Sequence, residues 1–137
     1  KKIEESLIPL SFVATNAANG EKVVLTKGSV ANAVKASTCI PGIFEPITIN
    51  DILLLDGGIA ENVPTNTVKS MGANYVIGVD LNSNHEYGKP SSIIDVILNS
   101  FHFIMMRNSK LQTEGADLLI KPNLFISILF LNIKKGQ

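Results

Sequence analysis

Ile47-Thr48-Ile49-Asn50-Asp51-Ile52-Leu53-Leu54-Leu55-Asp56-Gly57-Gly58 is the stretch on which the fold reading turns. Two apolar runs, Ile47 to Ile49 and Ile52 to Leu55, are separated by Asn50-Asp51, a hairpin signal, and the second runs straight into an acid and two glycines. An acid at a strand's carboxyl end projects into the crevice where open α/β sheets bind ligands. Paired glycines let backbone or substrate approach closely. Asp-Gly is equally a common turn pair, so the local sequence leaves both a site and a plain turn open.

Upstream of this stretch, Leu7 to Ala14 and Lys22 to Thr26 flank Asn19-Gly20, which supplies the positive φ angles of a tight hairpin turn. Gly28-Ser29 then introduces Val30, Ala33, Val34 and Ser37 at steps of three and four, predicting a Ser29-capped helix to about Thr38, stopped by Pro41-Gly42. Downstream, Pro64 suits a first helical turn and Gly72 a left-handed stop after Met71. Tyr75 to Leu81 is apolar until Asp80, as expected of a parallel-sheet strand covered on both faces.

Asn82 to Pro90 reads as a loop. Beyond it, Ile93, Ile94, Ile97, Phe101, Ile104, Met105 and Leu111 form one apolar stripe of a long helix, expected to be core. Ala116 to Lys121 is expected as a further buried strand, and Leu124 to Leu131 as an apolar run that needs cover. The alternation gives an α/β class, and no repeat, low-complexity tract or linker divides residues 1–137.

The chain has 137 residues, 45% hydrophobic and 18% charged, enough for one core but not two ordinary domains. Twelve Lys plus Arg balance twelve Asp plus Glu, so no field attracts phosphate backbones, and nucleic acid is not an expected partner. With a mean hydropathy of +0.25 the surface is short of charge, which implies apolar surface that meets a partner, a lipid or further chain. Cys39, the only cysteine, excludes an internal disulfide and allows a reducing compartment. Leu118 to Ile133 is broken by Lys121, Pro122 and Asn123, short of the about 18 uninterrupted apolar residues a membrane span needs. The chain opens on Lys1 rather than Met and without a signal-peptide pattern, so it is expected to be trimmed.

Candidate chemistry is sparse. His85 falls in a polar loop and His102 between Phe101 and Phe103 on the long helix, so both read as surface histidines rather than members of a Ser-His-Asp triad. Cys39 follows a helix C-terminus, where the dipole disfavours a thiolate. Asp51, Asp56, Glu61 and Asp80 have no spacing that gathers three oxygen ligands, so no metal is expected. The sequence has no G-x-G-x-x-G, Walker or G-x-S-x-G pattern.

Taken together, Ile8-Pro9-Leu10, Phe12 to Thr15, Gly20-Glu21, Val23 to Leu25, Ala36-Ser37, Ile40 to Phe44, Pro46 and Asp56 to Gly58 resemble the patatin-like phospholipase family in order and spacing. Val63-Pro64, Met71-Gly72-Ala73, Val76 to Asp80 and Ala116 to Pro122 extend the resemblance over most of the chain, closest to bacterial members. The resemblance implies a three-layer α/β fold, mostly parallel sheet with flanking helices and β-hairpins. Residues 1–137 would be the C-terminal portion of a single such domain. It further implies a serine acyl hydrolase with a Ser-Asp dyad, no cofactor, a fatty-acyl ester lipid as substrate, and a cytoplasmic location with peripheral membrane contact.

Within that resemblance Asp56 would be the dyad acid and general base, while the serine elbow and oxyanion loop would belong to an amino-terminal half missing here, leaving this chain inactive alone. Gly57 and Gly58 belong to the same motif, and Ile40, Pro41, Gly42 and Phe44 stand near the substrate as a wall of the acyl channel. In that reading Ile40, Ile43 and Phe44 meet lipid, while core packing is the preferred reading for most of Ala36 to Phe44. Ser37 matches a family position but is not its nucleophile, Asn16 replaces an acid often found after the Ala-Thr pair, and Asp80 reads as structural.

The chemistry needs no histidine, because a carboxylate in hydrogen-bond reach can take the serine proton as its oxygen attacks the ester. A free aspartate, with a pKa of about 3.9, is a feeble base for an alcohol. Asp56 must therefore sit close to serine and partly desolvated, with Leu53 to Leu55 helping. Oxyanion donors, worth about 3 kcal/mol each, would come from outside these residues. The alternatives are a catalytically inactive patatin-like module that binds lipid or protein, and a stand-alone packing domain.

Overall fold

The computed structural model describes residues 1–81 and 89–122. Leu124 to Leu131, His85 and most of the Asn82 to Pro90 loop lie outside the described residues. β1 (Phe12–Asn16), β2 (Lys22–Leu25), β3 (Ile47–Ile49) and β4 (Ile52–Asp56) form one sheet in the order β2-β1-β4-β3. Its three pairings are all antiparallel. β5 (Ile77–Val79) and β6 (Leu118–Ile120) form a separate parallel pair.

The elements are mixed α and β, as expected, but the mostly parallel sheet is not met among the described residues. Two of the three pairings have a local cause: both hairpins join consecutive strands by short turns, and short turns permit only antiparallel neighbours, while β1 and β4 pair across the intervening β2, α1 and β3. The parallel pair instead uses a helical crossover, α4 (Ile93–Gln112).

The two hairpins turn differently. At Asn50-Asp51 both residues are left-handed, φ 51° and 63°, as a two-residue type I′ turn requires. At Asn19-Gly20 only Gly20 is left-handed, with φ 76°. There β1 and β2 are joined by residues 17–21, closed by Gly20 N–H to the Asn16 carbonyl at 2.9 Å, a longer turn than the sequence implies.

α1 (Val30–Ser37) is capped by Ser29, whose side chain accepts from the Asn32 N–H, and packs across β1, β3 and β4. Ile3, Ala14, Leu25, Ala33, Ala36 and Leu54 meet there as the core, with Phe12, Val23, Val30, Ile47, Ile49 and Ile52 around them. α2 (Gly58–Glu61) and α3 (Thr65–Ser70) follow β4, and Pro64 caps α3 rather than opening its first turn. Gly72 makes the expected left-handed stop, φ 98°.

Three further expectations are corrected in the second half. In β5 the face of Val76, Gly78 and Asp80 is buried while Ile77 and Val79 are exposed, so the strand is covered on one side, and Leu118 and Ile120 of β6 are exposed too. The apolar stripe of α4 is not core. Of its seven residues Met105 is buried and Phe101 half-buried, while Ile93, Ile94, Ile97, Ile104 and Leu111 are exposed. Periodicity marks an apolar face, but no described element lies over this one. Among the described residues no helix is long and apolar enough to cross a membrane.

Candidate active site

β4 delivers Asp56 to the end of the sheet, and the backbone around it is pinned on several sides. Its N–H donates to the Cys39 carbonyl at 2.9 Å, its carbonyl accepts the Thr15 hydroxyl at 2.8 Å, and Gly57 N–H donates to the Ser37 carbonyl at 3.2 Å. α1 and β1 thus hold the acid from both flanks. A side chain on Gly57 would overlap the Val13 carbonyl, so the glycine there is dictated by the closeness of β1. A side chain on Gly58 would overlap the Met105 methyl and stand 3.0 Å from the Asp56 carboxylate.

The Asp56 carboxylate is half-buried, and its Oδ1 accepts the Gly58 N–H at 2.8 Å. Oδ2 has no hydrogen bond from the described residues. Burial pushes the Asp56 pKa above the ordinary aspartate value, and the Gly58 hydrogen bond only partly opposes it. A carboxylate with one oxygen fixed, the other open and a raised pKa is poised to accept a proton.

Asp56 lines a cavity of about 310 Å³ shared with Ser11, Phe12, Val13, Ser37, Gly57, Gly58, Glu61, Asn62, Pro64, Thr67 and Val68. Of the residues expected near substrate, Gly57 and Gly58 line it, whereas Ile40, Pro41, Gly42 and Phe44 do not. Those four form a turn closed by Phe44 N–H to the Ile40 carbonyl at 3.1 Å, with Gly42 left-handed at φ 81°. Ile40 and Pro41 are half-buried, but Ile43 and Phe44 are 41% and 57% exposed, so core packing does not describe the tip of this turn. Its link to Asp56 runs through Cys39.

Cys39 is buried, its Sγ pointing to the Phe44 carbonyl at 3.5 Å, and burial first, then the Asp56 charge, pushes its thiol pKa up. That is the opposite of an activated nucleophile. His102 lies on α4 against Phe101, ring centroids 6.2 Å apart, and does not line the cavity. Asp80 is buried at the end of β5 with its N–H on the Ile120 carbonyl, a structural place. Among the described residues no group of three or more His, Cys, Asp or Glu could hold a metal ion.

In the sequence Glu61 stands out only as a carboxylate without metal-ligand spacing. In the structure it is buried in the cavity wall, where its Oε2 meets Lys22 Nζ at 2.9 Å and the Thr67 hydroxyl, while Lys22 also donates to Thr67 at 3.0 Å. Desolvation pushes the Glu61 pKa up, but hydrogen bonds from Thr67 and Lys22 and the Lys22 charge outweigh it, and the net direction is down. The signal available in sequence was slight: Glu61 and Thr67 lie on different elements, and Lys22 is 39 residues from Glu61.

The sequence model described as patatin-like phospholipase matches residues 1–69, half of the chain and the half that carries Asp56. The chain belongs to the patatin-like phospholipase family. It is similar to lysophospholipase NTE1 of Meyerozyma guilliermondii, 34% identical over 106 residues that make up 74% of this chain and 7% of that protein. Lysophospholipase NTE1 of Candida albicans is 31% identical over 106 residues, 74% of this chain and 8% of that protein. An uncharacterised NTE family protein of Mycobacterium tuberculosis is 35% identical over 82 residues, 60% of this chain and 23% of that protein. The chain thus spans less than a quarter of the length of these relatives.

Proposed function

We propose that Asp56 is the general base of a Ser-Asp dyad in a lipid acyl hydrolase whose serine and oxyanion donors lie outside these 137 residues. The observation that carries the reading is the half-buried Asp56 carboxylate in the cavity wall, one oxygen held by Gly58 and the other open. Family membership and the two lysophospholipase relatives support an ester of a fatty acid, such as a lysophospholipid, as substrate.

In the first step the serine oxygen attacks the ester carbonyl and its proton passes to Asp56. Collapse of the tetrahedral intermediate expels the alcohol, which takes that proton. Water then attacks the acyl-enzyme, again giving its proton to Asp56, and collapse returns it to the serine as the fatty acid leaves. The raised pKa brings the acid closer to the working pH, where proton transfer in both directions is efficient.

The test is turnover of lysophosphatidylcholine by the protein expressed from its whole reading frame. Asp56→Asn, which keeps the shape and an acceptor for Gly58 N–H, is expected to lower kcat by about 10³-fold, within the range general-base losses span. Unchanged turnover overturns the reading. The second reading, a lipid- or protein-binding module without catalysis, is favoured by the exposed apolar side chains of α4, Ile93, Ile94, Ile97 and Ile104. Coding sequence upstream of Lys1 discriminates: an in-frame glycine-rich loop followed by G-x-S-x-G supports the hydrolase, and a start codon directly before Lys1 supports the module.

A further inference from the structure

The segment that follows Asp56 is gripped by one face of α4. Met105, Asn108, Ser109 and Gln112 fall at steps of three, one and three, which places them on one side of a helix. Asn108 Nδ2 donates to the Ile59 carbonyl at 3.3 Å, and Asn62 Nδ2 donates to Ser109 Oγ at 2.5 Å. Gln112 does most: its Nε2 donates to the Ala60 carbonyl at 3.2 Å, and its Oε1 accepts Asn62 N–H at 2.8 Å and Val63 N–H at 3.1 Å.

The need for such a grip follows from the length of α2. Four residues cannot satisfy their own terminal carbonyls and the amides that follow, so outside partners must do so. A single amide side chain serves three of these backbone groups, and the Gln112 carbonyl in turn accepts the Thr65 hydroxyl at 2.6 Å. At the other end of α2, the Gly58 N–H is the group that fixes Asp56 Oδ1, and a side chain on Gly58 would displace the Met105 methyl of the same α4 face and crowd the Asp56 carboxylate.

We propose that Gln112 is a positioning residue for Asp56: by clamping residues 60–63 to α4 it holds the α2 turn, and so the Gly58 N–H, under the carboxylate. This rests on the reading of Asp56 as the base. Gln112 lies outside the matched family segment 1–69 and belongs to no motif in the sequence. Its role comes from the docking of α4 alone.

The experiment measures amide hydrogen exchange at Gly58, Asn62 and Val63 against the strand amides of Ala14 and Leu54, together with kcat and KM for lysophosphatidylcholine. In Gln112→Ala, Gly58 exchange is expected to quicken about tenfold, the scale of a lost side-chain hydrogen bond, with Ala14 and Leu54 unchanged. The same variant should lose about tenfold in kcat with KM within about twofold, because the missing interaction acts on the base and not on binding. Gln112→Glu keeps both acceptor bonds but sets a carboxylate oxygen against the Ala60 carbonyl, so it should restore only part of the Gly58 protection and of kcat. Should Gln112→Ala not fold, Gln112→Met keeps the packing, removes all three bonds and gives the same test.

Unchanged Gly58 exchange overturns the proposal, and so does equal quickening at Ala14 and Leu54, which marks a general loss of stability. The two levels separate cleanly. If Asp56→Asn is inactive while Gly58 exchange in Gln112→Ala is unmoved, only the Gln112 role falls. If Asp56→Asn turns over normally, the base assignment falls and the positioning role with it.

Discussion

Residues 3–56 and the described residues of 73–122 are both rich in apolar side chains, yet only the first set closes a core of packed apolar residues, even though Leu7, Ile8, Ile43, Phe44 and Leu53 there stay exposed. In the first, α1 lies across the four-stranded sheet and Ile3, Ala14, Leu25, Ala33, Ala36 and Leu54 close a core. In the second, Ile77, Val79, Leu118 and Ile120 of the parallel pair and Ile93, Ile97 and Ile104 of α4 face outward. Beside the buried Val76 and Met105, much of what holds the second set is polar. Val76 N–H donates to Asp117 Oδ2 at 2.8 Å, Asp117 N–H returns to the Val76 carbonyl at 2.9 Å, and Gln112 clamps the turn after α2. The difference teaches that an apolar pattern specifies a face, while a core also needs a second face set against it.

The largest stability effect therefore belongs to the first region. Leu54 is 0% exposed at the centre of β4, two residues before the candidate base. Leu54→Ala is expected to cost about 3 kcal/mol, the sum of lost transfer energy and the cavity left behind. Urea unfolding with an unchanged slope measures it, and a loss below about 1 kcal/mol would mean that the core around β4 is far looser than its burial implies.

An intermediate effect belongs to the boundary between the regions, where Glu61 joins α2 to β2 and α3. Its carboxylate is 4% exposed, but Lys22 is 37% exposed and can be solvated when left alone, so Glu61→Gln is expected to cost about 1–2 kcal/mol rather than the penalty of a fully buried pair. The sign with pH follows from the lowered native pKa of Glu61. The unfolded chain binds that proton more readily, so the contribution is present in full above the ordinary glutamate pKa and is lost as pH falls through the native value. Acid unfolding of Glu61→Gln should therefore show a flatter limb below the ordinary carboxylate range. Asp56 carries the opposite sign, because its native pKa is raised. Its ionisation costs stability as pH rises through the native value, and Asp56→Asn should melt higher than the parent protein at neutral pH. A lower melting point would show that the carboxylate is held by more than the Gly58 N–H.

The same contrast explains what was legible in the sequence. The Asn50-Asp51 turn, the Ser29 cap and the placing of Asp56 at the end of β4 are local events, decided by residues within a few positions of each other. The Asn19-Gly20 turn is longer than its residues imply, since Asn19 does not take up the left-handed angle beside Gly20. The polar grips were illegible: Lys22 meets Glu61 across 39 residues, and Gln112 meets Asn62 across 50, with no spacing to announce either. For α4 the sequence misleads for all but Met105 and the half-buried Phe101. Its conspicuous stripe points outward, and the face that docks carries Asn108, Ser109 and Gln112, residues an amphipathic reading assigns to water.

The smallest expected effect lies on that outward stripe. Ile104 is 54% exposed, next in sequence to buried Met105 and one turn from Asn108. If the stripe is solvent-facing in the free protein, Ile104→Gln exchanges one exposed side chain for another of good helix propensity, and the stability change should stay within about 0.5 kcal/mol. A loss of 2 kcal/mol or more would instead show that Ile104 is covered in solution, and α4 would then have to be counted with the first region as part of a closed core. Paired with Leu54→Ala in the same urea series, the measurement compares two aliphatic residues whose sequence patterns look alike and whose surroundings do not. Equal losses would erase the contrast between the regions, whereas a several-fold difference would locate the source of stability in the sheet and leave α4 to its polar hold on the turn after Asp56.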